Sequence, residues 1–192
     1  MPVAVANHSF PADFYDRETE EVAISLLGAI LFHQTEDGPK AGRIVEVEAY
    51  LGTIDPACHV GRGLTPRTRG IFGKPGVAYI FVVYGLHLCV NAITLREPPY
   101  GCVLIRAVEP WDALRDRPAS EPEAKTSGPG LTSRYIRVSR AINGTSLSAG
   151  PLRILRGHSP DDIGSTPRIG VSAWKDKLLR FYDIDSSFVS AM

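Results

Sequence analysis

Fifty residues, Gly42 to Asn91, carry most of what constrains this chain. They open on a strand-like run, Arg43-Ile44-Val45-Glu46-Val47-Glu48-Ala49-Tyr50. In a strand, residues two apart share a face. Val45, Val47 and Ala49 therefore point one way, and Glu46, Glu48 and Tyr50 the other. The apolar side joins a core. The other side is either an ordinary solvated outer face or a carboxylate set beside a ring for chemistry, and the pattern alone leaves both open. After this run come Asp55-Pro56-Ala57-Cys58-His59, then the basic, Gly/Pro-punctuated loop from Gly61 to Gly76. Two apolar runs, Val77 to Gly85 and Leu86 to Thr94, close the stretch. A carboxylate, several rings, a histidine and a cluster of cations thus lie close in sequence. That mixture suits a planar ligand attached to an anionic backbone.

Charge supports the same direction by its distribution rather than its sum. The 192 residues hold 21 basic and 21 acidic side chains, for a net charge of zero. Yet residues 56–96 hold Arg62, Arg67, Arg69, Lys74 and Arg96 with no acid, and residues 125–160 hold Lys125, Arg134, Arg137, Arg140, Arg153 and Arg156, again with none. These two blocks can make one basic face, the footprint of phosphate binding. Alternatively, acids from elsewhere in the fold neutralise it.

The rest of the chain reads as one globular domain. At 44% hydrophobic and 22% charged it is not a disordered chain. No apolar run reaches the length of a membrane helix, and Met1 to Phe10 lacks the basic-then-apolar form of a signal peptide. The expected location is intracellular: cytoplasmic or nucleoid-associated, nuclear in a eukaryote. Cys58, Cys89 and Cys102 have neither a disulfide nor a zinc spacing, which points to small core residues and no metal. Residues 1–12 read as a loosely held arm. A helix is expected over 16–27, a strand over 29–32, a strand over 100–109 and short strands over 152–155, 169–171 and 179–182. Asp55-Pro56 and Thr65-Pro66 each read as a cap followed by a first-turn proline; the first puts His59 on a short helix, the second Arg67 and Arg69. A lone histidine is more often structural than catalytic. Tyr84-Gly85 is a tight hairpin whose tyrosine is either packed on a neighbour or free to wedge between base pairs. Asn91 follows in the next strand, where it could equally be a satisfied structural amide. Arg106 sits among apolar neighbours and needs a partner if buried, with Glu48 one candidate. A short helix is expected over 111–117, and a basic amphipathic helix over 131–142 presents Arg134, Arg137 and Arg140 on one broad face.

Several of these segments together, IVEVEAYLG, DPACHVGRGLTPRTRGIF, KPGVAYIFVVYGLHLCVN and CVLIRAVEP, then SGP, RIGV and LRFY, resemble the alkyladenine (methylpurine, 3-methyladenine) DNA glycosylase family in order and spacing. The resemblance runs from about Phe14 to Ser190. It implies an α+β fold: a curved antiparallel sheet, like an open barrel, surrounded by helices. It implies a monofunctional enzyme, with no cofactor and no metal, that flips damaged purines out of double-stranded DNA and releases them with water as nucleophile. Residue by residue, Glu48 matches the general base and Arg106 the residue that helps bind the water. Tyr50, His59 and Phe81, with Ala57, match the base pocket, and many relatives carry Tyr in place of Phe81. Asn91 matches the amide that disfavours normal guanine, and Tyr84 the intercalating wedge. Arg62, Thr65, Arg67, Arg69 and Lys74 match the loop that holds the DNA backbone. Nothing resembling a coiled coil is present, which points to a monomer. Two rival readings have their own signatures: a binding module without catalysis, and a metal-dependent nuclease built on Glu46, Glu48, Asp55 and His59. The second is disfavoured because no further clustered carboxylates complete a metal shell.

Overall fold

In the computed structural model, the strand expected over 43–50 extends to thirteen residues, β2 (Gly38–Tyr50). The structure describes residues 9–65, 68–83, 85–121 and 124–191, without the side chain of Arg62. The expected arm over 1–12 falls partly outside that range. Within it, Ser9 bridges Leu155, and Phe10 is buried and stacked on Phe14 with ring centroids 3.9 Å apart.

β2 is the hinge of the sheet. Its residues from Gly38 to Arg43 pair with β1 (Ile30–Thr35), and those from Glu46 to Glu48 pair with β9 (Arg180–Asp183). The other edge pairs with β5 (Cys102–Asp112). From β5 the sheet continues to β4 (His87–Ile93) and then β3 (Ala78–Val83), and from β1 to β7 (Leu152–Leu155). β6 (Arg117–Pro118) pairs with β5, and β8 (Ile163–Thr166) with β9. Each of these pairings is antiparallel, and the sheet curls into a half-barrel, as an α+β fold of this kind requires.

Two register shifts break the β2–β5 ladder, between Ile44 and Glu46 and between Glu46 and Val47. Pairing steps from Glu46↔Ala107 to Val47↔Ile105, with Arg106 between. Bulges of this sort re-aim side chains and are common beside active sites. Glu46 and Glu48 are both buried, as are Val45, Val47 and Ala49. The face that a period-two pattern would expose to water is covered: Arg180 and Ser190 bond Glu46, and the Ile169 amide and the Tyr50 hydroxyl bond Glu48.

Helix is scarce. α1 (Thr19–Ser25) forms within the expected helix, with Glu20 and Glu21 in its first turn, where acids complement the helix dipole. α2 (Pro129–Tyr135) is shorter than the expected basic helix. It stops because Arg137 takes a left-handed backbone, φ 58°, which a helix cannot continue through. Arg134, Arg137 and Arg140 therefore do not share a helical face. The helix expected over 111–117 is instead the end of β5, a turn and β6. The strand expected over 169–171 is a turn, while β8 carries no period-two signal strong enough to be read. The core packs Val22 and Ala23 of α1, with Leu26 and Leu27 just after it, on Ile44, Val47, Val90, Val103 and Ile105 of the sheet. A second, smaller core of Cys58, Val60, Ile71, Tyr79, Ile93 and Cys102 supports the loops between β2 and β3. Each buried Leu or Ile adds about 1.5–3 kcal/mol, so this small core is enough to hold a wall in place.

Candidate active site

The bulged ladder places Arg106 between two carboxylates. Its Nε donates to Glu46 Oε1 at 2.7 Å, and its Nη1 lies 3.1 Å from Glu48 Oε1. The partner that a buried Arg106 requires is thus Glu48 together with Glu46. The two acids have different surroundings. Glu46 also accepts Arg180 Nε at 2.7 Å, the Ser190 amide at 2.7 Å and Ser190 Oγ at 2.8 Å. Burial pushes the Glu46 carboxyl up, but the bonds from Arg180, Ser190 and Arg106 outweigh it and hold it below the ordinary glutamate range. Four donors, two of them from arginines, hold this carboxylate, three on Oε1 and one on Oε2, and it is a structural anion.

Glu48 is held less completely. Oε1 accepts Arg106 and the Ile169 amide, the latter at 2.8 Å, while Oε2 accepts the Tyr50 hydroxyl at 2.9 Å. A carboxylate has about four lone-pair sites, so these donors leave one on Oε2. Burial, then the negative charge of Glu48, raises the Tyr50 phenol above its ordinary range, which keeps it a proton donor at neutral pH. Burial lowers the Arg106 pKa, but Glu48 and Glu46 more than reverse this, so the guanidinium stays charged.

In front of this pair lies a cavity of about 400 Å³, lined by Tyr50, Ala57, His59, Phe81, Asn91 and Arg106 among others. Glu48 is fully buried behind that lining rather than on it. The cavity falls within the range of small-molecule sites, about 300–1000 Å³. Its rings come from separate elements. Tyr50 ends β2, Phe81 lies on β3, and His59 opens a short 3₁₀ turn, His59–Arg62. His59 and Phe81 meet edge to face at 4.7 Å, and Phe81 stacks on Tyr79 at 5.4 Å. Asn91 is buried on β4. Its Nδ2 donates to the Tyr79 carbonyl at 3.1 Å and its Oδ1 faces the Cys102 thiol at 3.9 Å, so the amide orientation is fixed. All three cysteines are free and buried, and all line this cavity. Burial raises the Cys89 thiol to about 11.

The sequence-expected backbone-binding residues are placed less uniformly. Arg69 and Lys74 are exposed, on the loop whose Ile71 reaches the cavity. Thr65 Oγ1 is 3.0 Å from Thr68 Oγ1 and accepts the Thr68 amide at 3.1 Å, a capping bond, but the residues from Thr68 onward form a turn and not a helix. Arg67, Tyr84 and the side chain of Arg62 lie outside the described residues. Of the basic blocks, Arg96 pairs with Asp16 and Arg137 with Asp37, while Arg134 and Arg140 are exposed. Acids from elsewhere thus neutralise part of the expected basic face.

Sequence reasoning did not find the residues that hold the site from behind. Arg180, Ser190 and the Ile169 amide fix the two glutamates. Arg168 and Asp55 form a fully buried ion pair. The only signal was that Arg168 and Arg180 stand in the RIGV and LRFY segments; nothing local marks them as partners of residues more than a hundred positions earlier.

The sequence profile of the methylpurine-DNA glycosylase family matches residues 13–187. The chain belongs to that family. Membership carries the coarse assignment, a DNA glycosylase and thus a hydrolase of N-glycosyl bonds. A relative from Legionella pneumophila (strain Lens) is 43% identical over 185 residues, 94% of this chain and 97% of the relative. One from Methanoculleus marisnigri is 43% identical, covering 95% of this chain and 98% of the relative. One from Myxococcus xanthus is 40% identical over 94% and 92%. All three carry the provisional name 3-methyladenine DNA glycosylase.

Proposed function

We propose that this methylpurine-DNA glycosylase family member excises damaged purines from duplex DNA by flipping the nucleotide into the Tyr50–His59–Phe81 cavity and hydrolysing its glycosidic bond. The observation that supports this best is the single open lone pair on Glu48, a buried carboxylate otherwise fixed by Arg106, Tyr50 and Ile169. Breaking the bond between base and deoxyribose passes through an oxocarbenium-like sugar. That step requires a carboxylate to deprotonate water and to balance positive charge. Glu48 is the general base. Arg106, which lines the cavity and touches Glu48, holds the water with it.

The reaction cannot occur inside the stack, so the base must leave it. Tyr50, His59 and Phe81 give the flipped purine aromatic faces. Asn91, held by Tyr79, crowds an exocyclic amino group at its edge and so disfavours normal guanine. Tyr84 fills the space the nucleotide vacates. Arg62, Thr65, Arg67, Arg69 and Lys74 take the backbone, phosphate contacts that fix register without reading sequence. Substrates are 3-methyladenine, 7-methylguanine, hypoxanthine and ethenoadenine. Cationic alkylated bases gain attraction from electron-rich rings. No lysine Schiff base forms, because the nucleophile is water. The carboxylates next to the cavity are occupied by arginines and amides, an arrangement that favours a water mechanism over a bound cation. The protein acts as a monomer inside the cell.

The test is substitution of Glu48 by Gln, which keeps shape and removes the base. Glu48→Gln is expected to bind a hypoxanthine-containing duplex and to release no free base. Strand cleavage without base release by the wild type would sink the reading.

A further inference from the structure

The Arg168–Asp55 pair lies behind the cavity wall, next in sequence to the lining residues Ile169 and Pro56, and the chemistry above does not use it. Both side chains are fully buried, and the guanidinium meets the carboxylate through two nitrogens, Nη1 to Oδ2 at 2.5 Å and Nη2 to Oδ1 at 3.0 Å. Taking two charges out of water is costly, and such a pair is often no more stabilising than apolar residues of equal volume. Its place is better explained by what it touches. Arg168 Nη1 also donates to the Ala49 carbonyl at 3.0 Å, and its Cζ sits 4.5 Å from the centre of the Tyr50 ring. The next residue supplies the amide that donates to Glu48 Oε1 at 2.8 Å. Asp55 in turn accepts the Leu51 amide at 3.1 Å and the Ala57 amide at 2.9 Å, on the wall that leads to His59. Apart from Arg106, each donor on Glu48 is therefore either stacked against Arg168 or bonded to it through the chain.

We infer that Arg168 is a positioning residue for base excision: it fixes the Tyr50 hydroxyl and the Ile169 amide, which aim the Glu48 carboxylate, while Asp55 ties it to the wall that carries His59. Arg168 acts through these groups and touches no substrate. The inference rests on the reading of Glu48 as the general base. An arginine suits the task because its planar fork binds a carboxylate with two nitrogens and stacks on a ring at the same time, which a lysine cannot do.

Two variants test it. Arg168→Lys keeps the charge and loses the fork. Asp55→Asn/Arg168→Met removes both charges, so that neither is left buried alone. Wild type, both variants and Glu48→Gln are compared by thermal melting, by affinity for a duplex carrying one hypoxanthine, and by the single-turnover rate of base release. Positioning predicts a double variant that melts near the wild type, and in both variants near-normal affinity with release slowed about 100-fold, the scale of a small misplacement in a reacting geometry. A structural pair predicts the opposite. Release at the wild-type rate by a double variant that melts normally, or by Arg168→Lys, overturns the inference, as does a loss of rate in Arg168→Lys matched by an equal loss of affinity. If the double variant does not fold, Arg168→Lys decides alone. Glu48→Gln separates the two claims: its release of base at the wild-type rate refutes the general-base reading itself, whereas slow release by Glu48→Gln with full-rate Arg168→Lys refutes only the positioning role.

Discussion

Glu46 and Glu48 stand two residues apart on one strand and differ in what is left open around them. Glu46 accepts four hydrogen bonds from Arg106, Arg180 and Ser190. Replacing it with Gln removes the anion that two buried guanidinium groups share. Breaking a buried pair by removing one partner costs about 3–5 kcal/mol, and Glu46→Gln is expected to lose that much in urea-induced unfolding. The pH dependence has its origin in the same contacts. The folded state holds the Glu46 carboxyl below its ordinary value of 4.5, so its contribution to stability is fully present above that value. It is lost as pH falls through the lower, folded-state value. Melting curves taken from neutral pH down into the acid range should therefore show a decline for the wild type that is blunted in Glu46→Gln. At this scale the sequence was half legible. A period of two predicts Glu46, Glu48 and Tyr50 on one face, and the need of a buried arginine for a partner points from Arg106 to Glu48. That Glu46 is the structural acid and Glu48 the open one depends on Arg180, Ser190 and Ile169, which lie far along the chain and reach the site only through folding.

At the scale of elements, the wall from Tyr50 to His59 is positioned by a close approach of two loops. Gly52 has φ +70°, and a Cβ there would lie 1.6 Å from the Pro99 carbonyl oxygen. The neighbouring Thr53 amide donates to that same oxygen at 2.8 Å. Gly52→Ala is therefore both strained and overpacked. A destabilisation of at least about 1–3 kcal/mol is expected, measured by thermal melting. Base release should fall as well, because the displaced segment begins two residues after Tyr50 and leads to Ala57 and His59. Wild-type melting and release in Gly52→Ala would show that the contact is not structural. The hairpin β3–β4 and the central strands were readable because turn glycines and alternation mark them locally. The helix expected over 131–142 failed at Arg137, whose positive φ no residue-type preference announces. The turn after β5 failed likewise, since the apolar spacing of Trp111 and Leu114 fits a helix as well as a strand end.

For the whole molecule, zero net charge is compatible with a DNA-binding surface only if the cations are sorted onto it. Arg69 and Lys74 are exposed on the loop that borders the cavity, while Arg96 and Arg137 are paired with acids. Affinity for duplex DNA should fall linearly on a log–log plot against salt. Arg69→Ala and Lys74→Ala should each reduce that slope by about 0.9, one released counterion apiece. Arg137→Ala should leave it unchanged. A slope unaltered by Arg69→Ala and Lys74→Ala would place the DNA elsewhere. The central claim is that Glu48 drives hydrolytic release of a flipped, damaged purine. Its most direct measurement uses duplex oligonucleotides that each carry hypoxanthine, ethenoadenine or an alkylated purine, incubated in EDTA with wild type or Glu48→Gln and scored for free base and alkali-labile abasic sites. The predicted result is release by the wild type alone, with both proteins binding the lesion duplex. Release by Glu48→Gln at the wild-type rate, or tight binding by the wild type with no release from any lesion, would contradict it.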